Sequence, residues 1–445
     1  MSHYTEDQLS EYALRREAIK DRQAVDQHLA GCSECRKALD VIESFDAALR
    51  DPLPWELADS MSARREAPPE LLAQARAIAK EEASARALVL PLVESPVRFG
   101  QARVGDDPRF HTLAVVRLLC TIANQTHEQQ PQYGLQLADA AVSICAKLPQ
   151  PAKSKSAWHA GTAWKERANA LRYLGRFREA EAALDNAEDA FLSDRRPEPF
   201  DLAIVSYVRA TVRAETEQFA DAVRFAREAA HEFLVYGDRR RYLSARMVEG
   251  VGYYCIDRDA EALPIFESVV VAARAEGETW ILGGALANAA SCYTHLHSYG
   301  QAARNYEEAL GVFTALNVPT ESARILWALA AMKVERCDYD EGLPELERAR
   351  ERLTQLELSN DASLATLDLA AGLMAAEQPE RVPELCRSVS VAFASEGMTR
   401  NARKALAFLS EAVSSGSVTP ELVRHVRTYL ERLPSRPTQE FLQVQ

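Results

Sequence analysis

At 445 residues, with 47% hydrophobic and 26% charged side chains, the chain is long enough for two or more folded units and has the composition of a globular protein. Its formal net charge of −13 argues against a broad phosphate-binding face, because nucleic-acid modules carry a basic stripe and these arginines are scattered. No stretch approaches the roughly eighteen apolar residues of a membrane span, and Met1 to Asp7 lacks a basic and then apolar signal region, so the expected location is cytoplasmic.

Thr5-Glu6-Asp7-Gln8 is a capping-box pattern, which predicts a helix carrying Leu9, Tyr12 and Ala13 on one face. A second helical pattern from about Asp21 carries Val25, His28 and Leu29 and ends at Gly31. Cys32 falls in the turn, and Cys35 begins a third helix whose Leu39, Ile42 and Phe45 form one buried stripe. Three short helices bury little apolar surface and need a staple. His28-x3-Cys32-x2-Cys35 supplies one: a histidine ending one helix and two cysteines opening the next fit three corners of a tetrahedral zinc site. His3 is the expected fourth ligand, since it precedes the first helix and the first fifty residues hold no other cysteine or histidine. The competing reading makes His3 a frayed terminus and the cysteines a helix-start pair.

This pattern, with His3 twenty-five residues ahead of His28, resembles the zinc-binding anti-sigma factor domain of bacteria over about the first fifty residues. The resemblance implies one structural zinc ion held by His3, His28, Cys32 and Cys35. It also implies helices that occlude the polymerase-binding surface of an extracytoplasmic-function sigma factor. The turn between the first two helices departs from that family, with Arg15-Arg16-Glu17-Ala18 where many relatives have Asp-Gly-Glu. Some members sense oxidants by exchanging zinc for a disulfide; the alternative is a permanently structural site. The other six cysteines, Cys120, Cys145, Cys255, Cys292, Cys337 and Cys386, stand alone in helical patterns, where a thiol packs as a small apolar group.

Asp51-Pro52-Leu53-Pro54-Trp55 breaks the third helix, which sets a zinc-binding domain at 1–50 and a linker with one helix at 51–106. The linker helix starts at Pro68-Pro69-Glu70 and carries Leu72, Ala75, Ile78, Ala79 and Ala83 to about Leu90, ahead of Pro91 and Pro96. It either clasps a sigma factor, as the resemblance implies, or caps the array that follows.

From about residue 107 the chain repeats. Trp164-x3-Ala168-x2-Leu171-x3-Gly175-x-Phe177-x2-Ala180-x3-Leu184-x2-Ala187 resembles the tetratricopeptide repeat. In that frame Ala180, Ala222, Ala262, Ala302, Gly342 and Val382 recur at forty to forty-two residues, with Ala138 hinting at a degenerate first unit. The usual period is about thirty-four, so each unit carries an extra helical turn or a longer loop. Thr419-Pro420-Glu421 starts a helix bearing Leu422, Val426 and Leu430 that closes the apolar end of the array at 107–434, and 435–445 is an expected disordered tail. The expected fold class is therefore all-α: a small three-helix zinc module followed by an α-solenoid of tetratricopeptide-like helix pairs.

First helices of such arrays line a concave groove, and the frame places Lys165, Asn169, Arg172, Tyr207, Tyr254 and Trp327 toward it as candidate peptide contacts, each weighed against ordinary packing. Phosphate loops, nucleophile elbows and zinc-protease helices are absent from the sequence, and no enzymatic activity is expected. The functional expectation is a regulator whose zinc module binds a sigma factor or similar transcription partner while the array receives a protein or peptide signal. The alternative is an interaction scaffold in which zinc is only structural. Neither reading involves direct nucleic-acid or membrane binding.

Overall fold

The computed structural model describes residues 3, 4, 9, 12, 22–39, 69–150, 152–194, 197–395 and 400–432, and every regular element among them is helical. The chain divides into two compact units, Met1–Lys80 and Glu81–Gln445. The expected capping box at Thr5, the stripe residues Ile42 and Phe45, the boundary at Pro52 and the tail at 435–445 lie outside the described residues.

In the first unit, α1 (Arg22–Gly31) buries Val25 and Leu29, which join Leu9, Tyr12, Cys35 and Leu39 in one small core. The segment 33–39 is helical and Cys32 is the break before it. Arg36 closes the junction: its Nε and Nη2 donate to the Leu29 carbonyl at 3.0 and 2.8 Å, and Nη2 also reaches the Ala30 carbonyl at 2.7 Å. A helix end otherwise leaves such carbonyls unsatisfied. The core is small, as three short helices dictate.

α2 (Pro69–Val93) runs through Pro91, three residues beyond the expected end. The proline forfeits one hydrogen bond in the last turn, but Leu92 and Val93 beyond it pack into a core that already holds Ala85 and Val89. From Glu81 onward, then, this helix caps the array: the Glu81 carboxylate accepts the Ala114 amide at 3.2 Å, at the start of the helix that opens the array. α3 (Pro96–Gln101), α4 (Leu113–Thr126) and α5 (Pro131–Lys147) complete this end, with Val116, Leu119, Leu137 and Ile144 fully buried.

Six helix pairs follow. They are α6 and α7 (Ala157–Tyr173, Phe177–Leu192), α8 and α9 (Pro199–Glu215, Phe219–Val235), and α10 and α11 (Arg239–Tyr254, Asp259–Glu276). Then come α12 and α13 (Thr279–His295, Tyr299–Ala315), α14 and α15 (Pro319–Glu335, Tyr339–Gln355), and α16 and α17 (Ser359–Ala375, Val382–Ser395). α18 (Arg400–Ser414) and α19 (Pro420–Arg432) end the described chain. The six anchors of the repeat frame are all buried: Ala180, Ala222, Ala262 and Ala302 at 0%, Val382 at 1%, and Gly342 against Val334. No described helix is long and apolar enough to cross a membrane.

The turns explain the period. Most helices from α8 to α16 have 17 residues, and a residue in the left-handed region ends each of them: Glu217, Gly237, Asp257, Gly277, His297, Asn317, Cys337, Glu357 and Glu377, one every twenty positions. The following amide donates back to the carbonyl five residues earlier, as from Gln218 to Arg213 at 2.8 Å, Asp338 to Lys333 at 2.9 Å and Gln378 to Leu373 at 2.8 Å. With turns this short, the surplus over a period of about thirty-four lies in the helices, roughly one extra turn in each pair member. The first period is two longer because residues 193–198 connect α7 to α8.

Close approach of facing helices also requires glycine at Gly283, where an added Cβ would meet the Phe313 ring at 2.7 Å. Two opposite effects on stability are expected. Gly283→Ala should destabilise the array by about 1–3 kcal/mol through overpacking, whereas Glu357→Gly, at φ 58°, should stabilise it by about 1 kcal/mol by removing a left-handed side chain. Thermal and urea unfolding of the two variants would check both signs.

Candidate metal centre

His3, His28, Cys32 and Cys35 converge. One ligand atom from each lies within 4.8 Å of all the others. His28 Nε2 stands 3.3 Å from Cys35 Sγ, and His3 Nδ1 stands 3.3 Å from Cys32 Sγ and 3.5 Å from Cys35 Sγ. Bond lengths of ordinary zinc sites put a nitrogen and a sulfur on neighbouring tetrahedral corners about 3.6 Å apart. Donor set and spacing therefore fit a four-coordinate zinc ion.

Each ligand is positioned by its local structure. His28 sits in the last turn of α1, its carbonyl accepting the Cys32 amide at 2.9 Å, which carries the chain through the break with both sulfurs on one side. The Cys35 amide donates to the Cys32 sulfur and, against the opposing effect of burial and with weaker help from the Cys35 side chain and His3, pulls that thiol down to about 6. Burial pushes the Cys35 thiol up, although the Tyr4 amide donates to it. Tyr4 also packs edge-on against His28, with ring centroids 4.9 Å apart. The free nitrogen of His3, Nε2, lies 3.3 Å from the Glu34 carboxylate. A carboxylate behind a metal-bound histidine fixes its tautomer and raises its basicity.

Residues 5–36 match the family described as "Putative zinc-finger". That span contains three of the four convergent residues, and His3 lies just ahead of it. The remaining chain carries the fold of tetratricopeptide-type helical repeats. Aspartyl phosphate phosphatase F from Bacillus subtilis superposes with a TM-score of 0.53 at 12% identity, covering 78% of this chain and 95% of its own. The apo form of RapI gives 0.50 at 13% identity, covering 63% and 99%. A signal transduction ATPase with numerous domains from Pyrococcus horikoshii, which has a tetratricopeptide repeat sensor, gives 0.50 at 15% identity, covering 77% of this chain and 52% of its own. At these identities the likeness is one of fold. No curated protein sequence matches the chain.

The expected groove residues do not form one surface. Arg172 and Tyr254 line a cavity of about 1050 Å³ with Tyr173, His295 and Arg427. Lys165 lines a separate cavity of about 320 Å³ with Asn124, Trp158 and Glu166, and its ammonium pairs with the buried Glu166 carboxylate. Asn169 is half-buried in α6. Tyr207 instead packs between layers, edge-on to Phe233 at 6.1 Å. Trp327 is held from within, its Nε1 donating to Asp368 at 2.9 Å. A repeat frame gives the helix but not the degree of burial, which depends on the next pair.

Nothing in the ligand spacing marks Glu34; its place behind His3 needs the third dimension. Glu34→Ala should weaken zinc binding by about 10–100-fold without removing a ligand. The pH dependence follows from the two thiols. Above about pH 6 Cys32 is already ionised and Cys35 still holds its proton, so zinc binding displaces about one proton and affinity should rise about tenfold per pH unit. Below pH 6 the slope should steepen, because Cys32 must then also lose a proton. Competition titrations with a chromogenic chelator across pH 5 to 8 would measure both effects.

Proposed function

We propose that the zinc module binds a sigma factor or a similar transcription partner, and that the repeat array receives a protein or peptide signal. The observation that carries this reading is the joining of the two parts: a four-residue centre, three of whose members lie within a zinc-finger family match, followed in the same chain by a helical repeat array. The Pyrococcus horikoshii relative supports the second half, since its repeats are named as a sensor. The array also offers cavities large enough for several peptide residues.

The zinc ion is read as structural, the chain as non-enzymatic and its location as cytoplasmic. His3, His28, Cys32 and Cys35 hold the metal, and Arg172 and Tyr254 are the groove residues best placed to meet a peptide. The second reading is an interaction scaffold, which the size of the array relative to the zinc module favours.

Pull-downs from the native host with the intact chain test the first reading; a stable one-to-one complex with a sigma factor is the expected result, and recovery of no such factor would count against it. A chain without residues 1–50 should lose that partner. Under the scaffold reading it would keep its partners.

A further inference from the structure

The last described helix does not continue the repeat. α19 turns back and packs on α16, the first helix of the last complete pair, as well as on its neighbour α18. Val423, Val426 and Leu430 are 0–1% exposed and share one core with Leu364, Leu367 and Ala371 of α16. Arg427, four residues after Val423, sits on the same side of α19 as this stripe. Arg427 and Thr428 line both a cavity of about 790 Å³, bounded by α10, α12, α14 and α16 with Tyr306 of α13 and Tyr339 and Leu346 of α15, and a cavity of about 1050 Å³, bounded by α6, α8, α10 and α12 with Phe177 and Phe219 from the starts of α7 and α9. α19 thus lies along first helices, where the concave groove runs.

One charged group marks the seat. Arg427 Nε stands 2.6 Å from Asp368 on α16, and Asp368 also accepts the Trp327 indole hydrogen at 2.9 Å. The Arg427 guanidinium lies 5.8 Å from the centre of the Trp327 ring. Trp327 and Asp368 belong to consecutive first helices, so the groove itself supplies the acid and the aromatic wall, and α19 supplies the cation. Leaving Asp368 without its cation in a buried site is costly. Whatever helix occupies this groove therefore needs a basic residue at that point.

We propose that this face of α14 and α16 is a docking site for an amphipathic helix of a partner protein. The partner helix has apolar residues at i, i+3 and i+7 and an arginine at i+4, the pattern of Val423, Val426, Arg427 and Leu430. α19 holds the site in cis, and the partner helix replaces it. This deepens the reading of the array as a receiver of a protein signal and rests on it. Because α19 is tethered, its effective concentration is of millimolar order, so the partner must bind more tightly or act when α19 is weakened.

The probe is a fluorescein-labelled synthetic peptide of residues 419–432, used with the full-length protein. The intact chain should bind it weakly. Arg427→Glu in the chain sets a like charge against Asp368, loosens α19 and should raise peptide affinity at least about tenfold. A peptide carrying Arg427→Glu should bind neither protein. Equal affinity of the two proteins for the unmodified peptide, or no binding to either, overturns the proposal. If circular dichroism shows that the variant fails to fold, hydrogen exchange on the unmodified chain decides. α19 amides exchanging at least about tenfold faster than those of α16 are expected from opening of α19 alone; exchange of both together overturns it. The probe is the chain's own helix, so a failure here differs from a failure to recover any partner from the host.

Discussion

The array depends on how its helices end. A left-handed residue every twenty positions from Glu217 to Glu377 turns the chain within three residues and returns the next amide to a carbonyl of the helix just completed. The turns are so short that each helix starts in the same rotational phase as its counterpart one pair earlier. The small anchors then fall on one line and facing backbones approach closely. Seven of these nine positions carry a side chain other than glycine. Tertiary packing, not local preference, holds them there, since an isolated non-glycine residue pays about 1–2 kcal/mol for that conformation.

The zinc module works on the opposite principle. Its described core has six buried residues and several of its backbone groups are turned toward sulfur, so a bound metal would join elements that bury too little to join themselves. Ligand and core are not separable there: Cys35 is both a corner of the site and a member of the core, at 3% exposure. Loss of metal would empty the centre of the unit rather than decorate its surface. The array needs no such staple, and four of its six lone cysteines are buried: burial pushes Cys145 and Cys292 up to about 12, Cys386 up to about 11 and Cys120 up as well, well away from the reactive range, whereas Cys337 is exposed in a turn rather than packed in a helix.

Much of this was legible in the sequence. The ligand triplet is local, and His3 was found by elimination, since few residues nearby carry a metal-grade atom. The anchors Ala180 to Val382 were legible because close helix packing tolerates only small residues, and that constraint repeats. What the sequence concealed is what depends on contact across long separations. Trp327 reads as a peptide contact, and Asp368, forty-one positions on, holds its indole and makes it a wall of the seat taken by α19. The terminal helix reads as an end cap, yet Arg427 and its apolar stripe seat it on α16. The period was visible while its cause was not, because the left-handed positions are filled by glutamate, aspartate, histidine, asparagine and cysteine rather than by a uniform glycine.

His3, His28, Cys32 and Cys35 converge as the four corners of one proposed tetrahedral site. Cobalt substitution tests it most directly, because Co(II) in a tetrahedral field with thiolate ligands gives intense visible bands and sulfur-to-metal charge transfer. About one equivalent of bound Co(II) is expected. Its charge-transfer intensity should match two thiolates and fall by about half in Cys32→Ser, and its tetrahedral bands should be lost in His3→Ala. Binding far below one equivalent under reducing conditions, or a spectrum unchanged by either substitution, would contradict it.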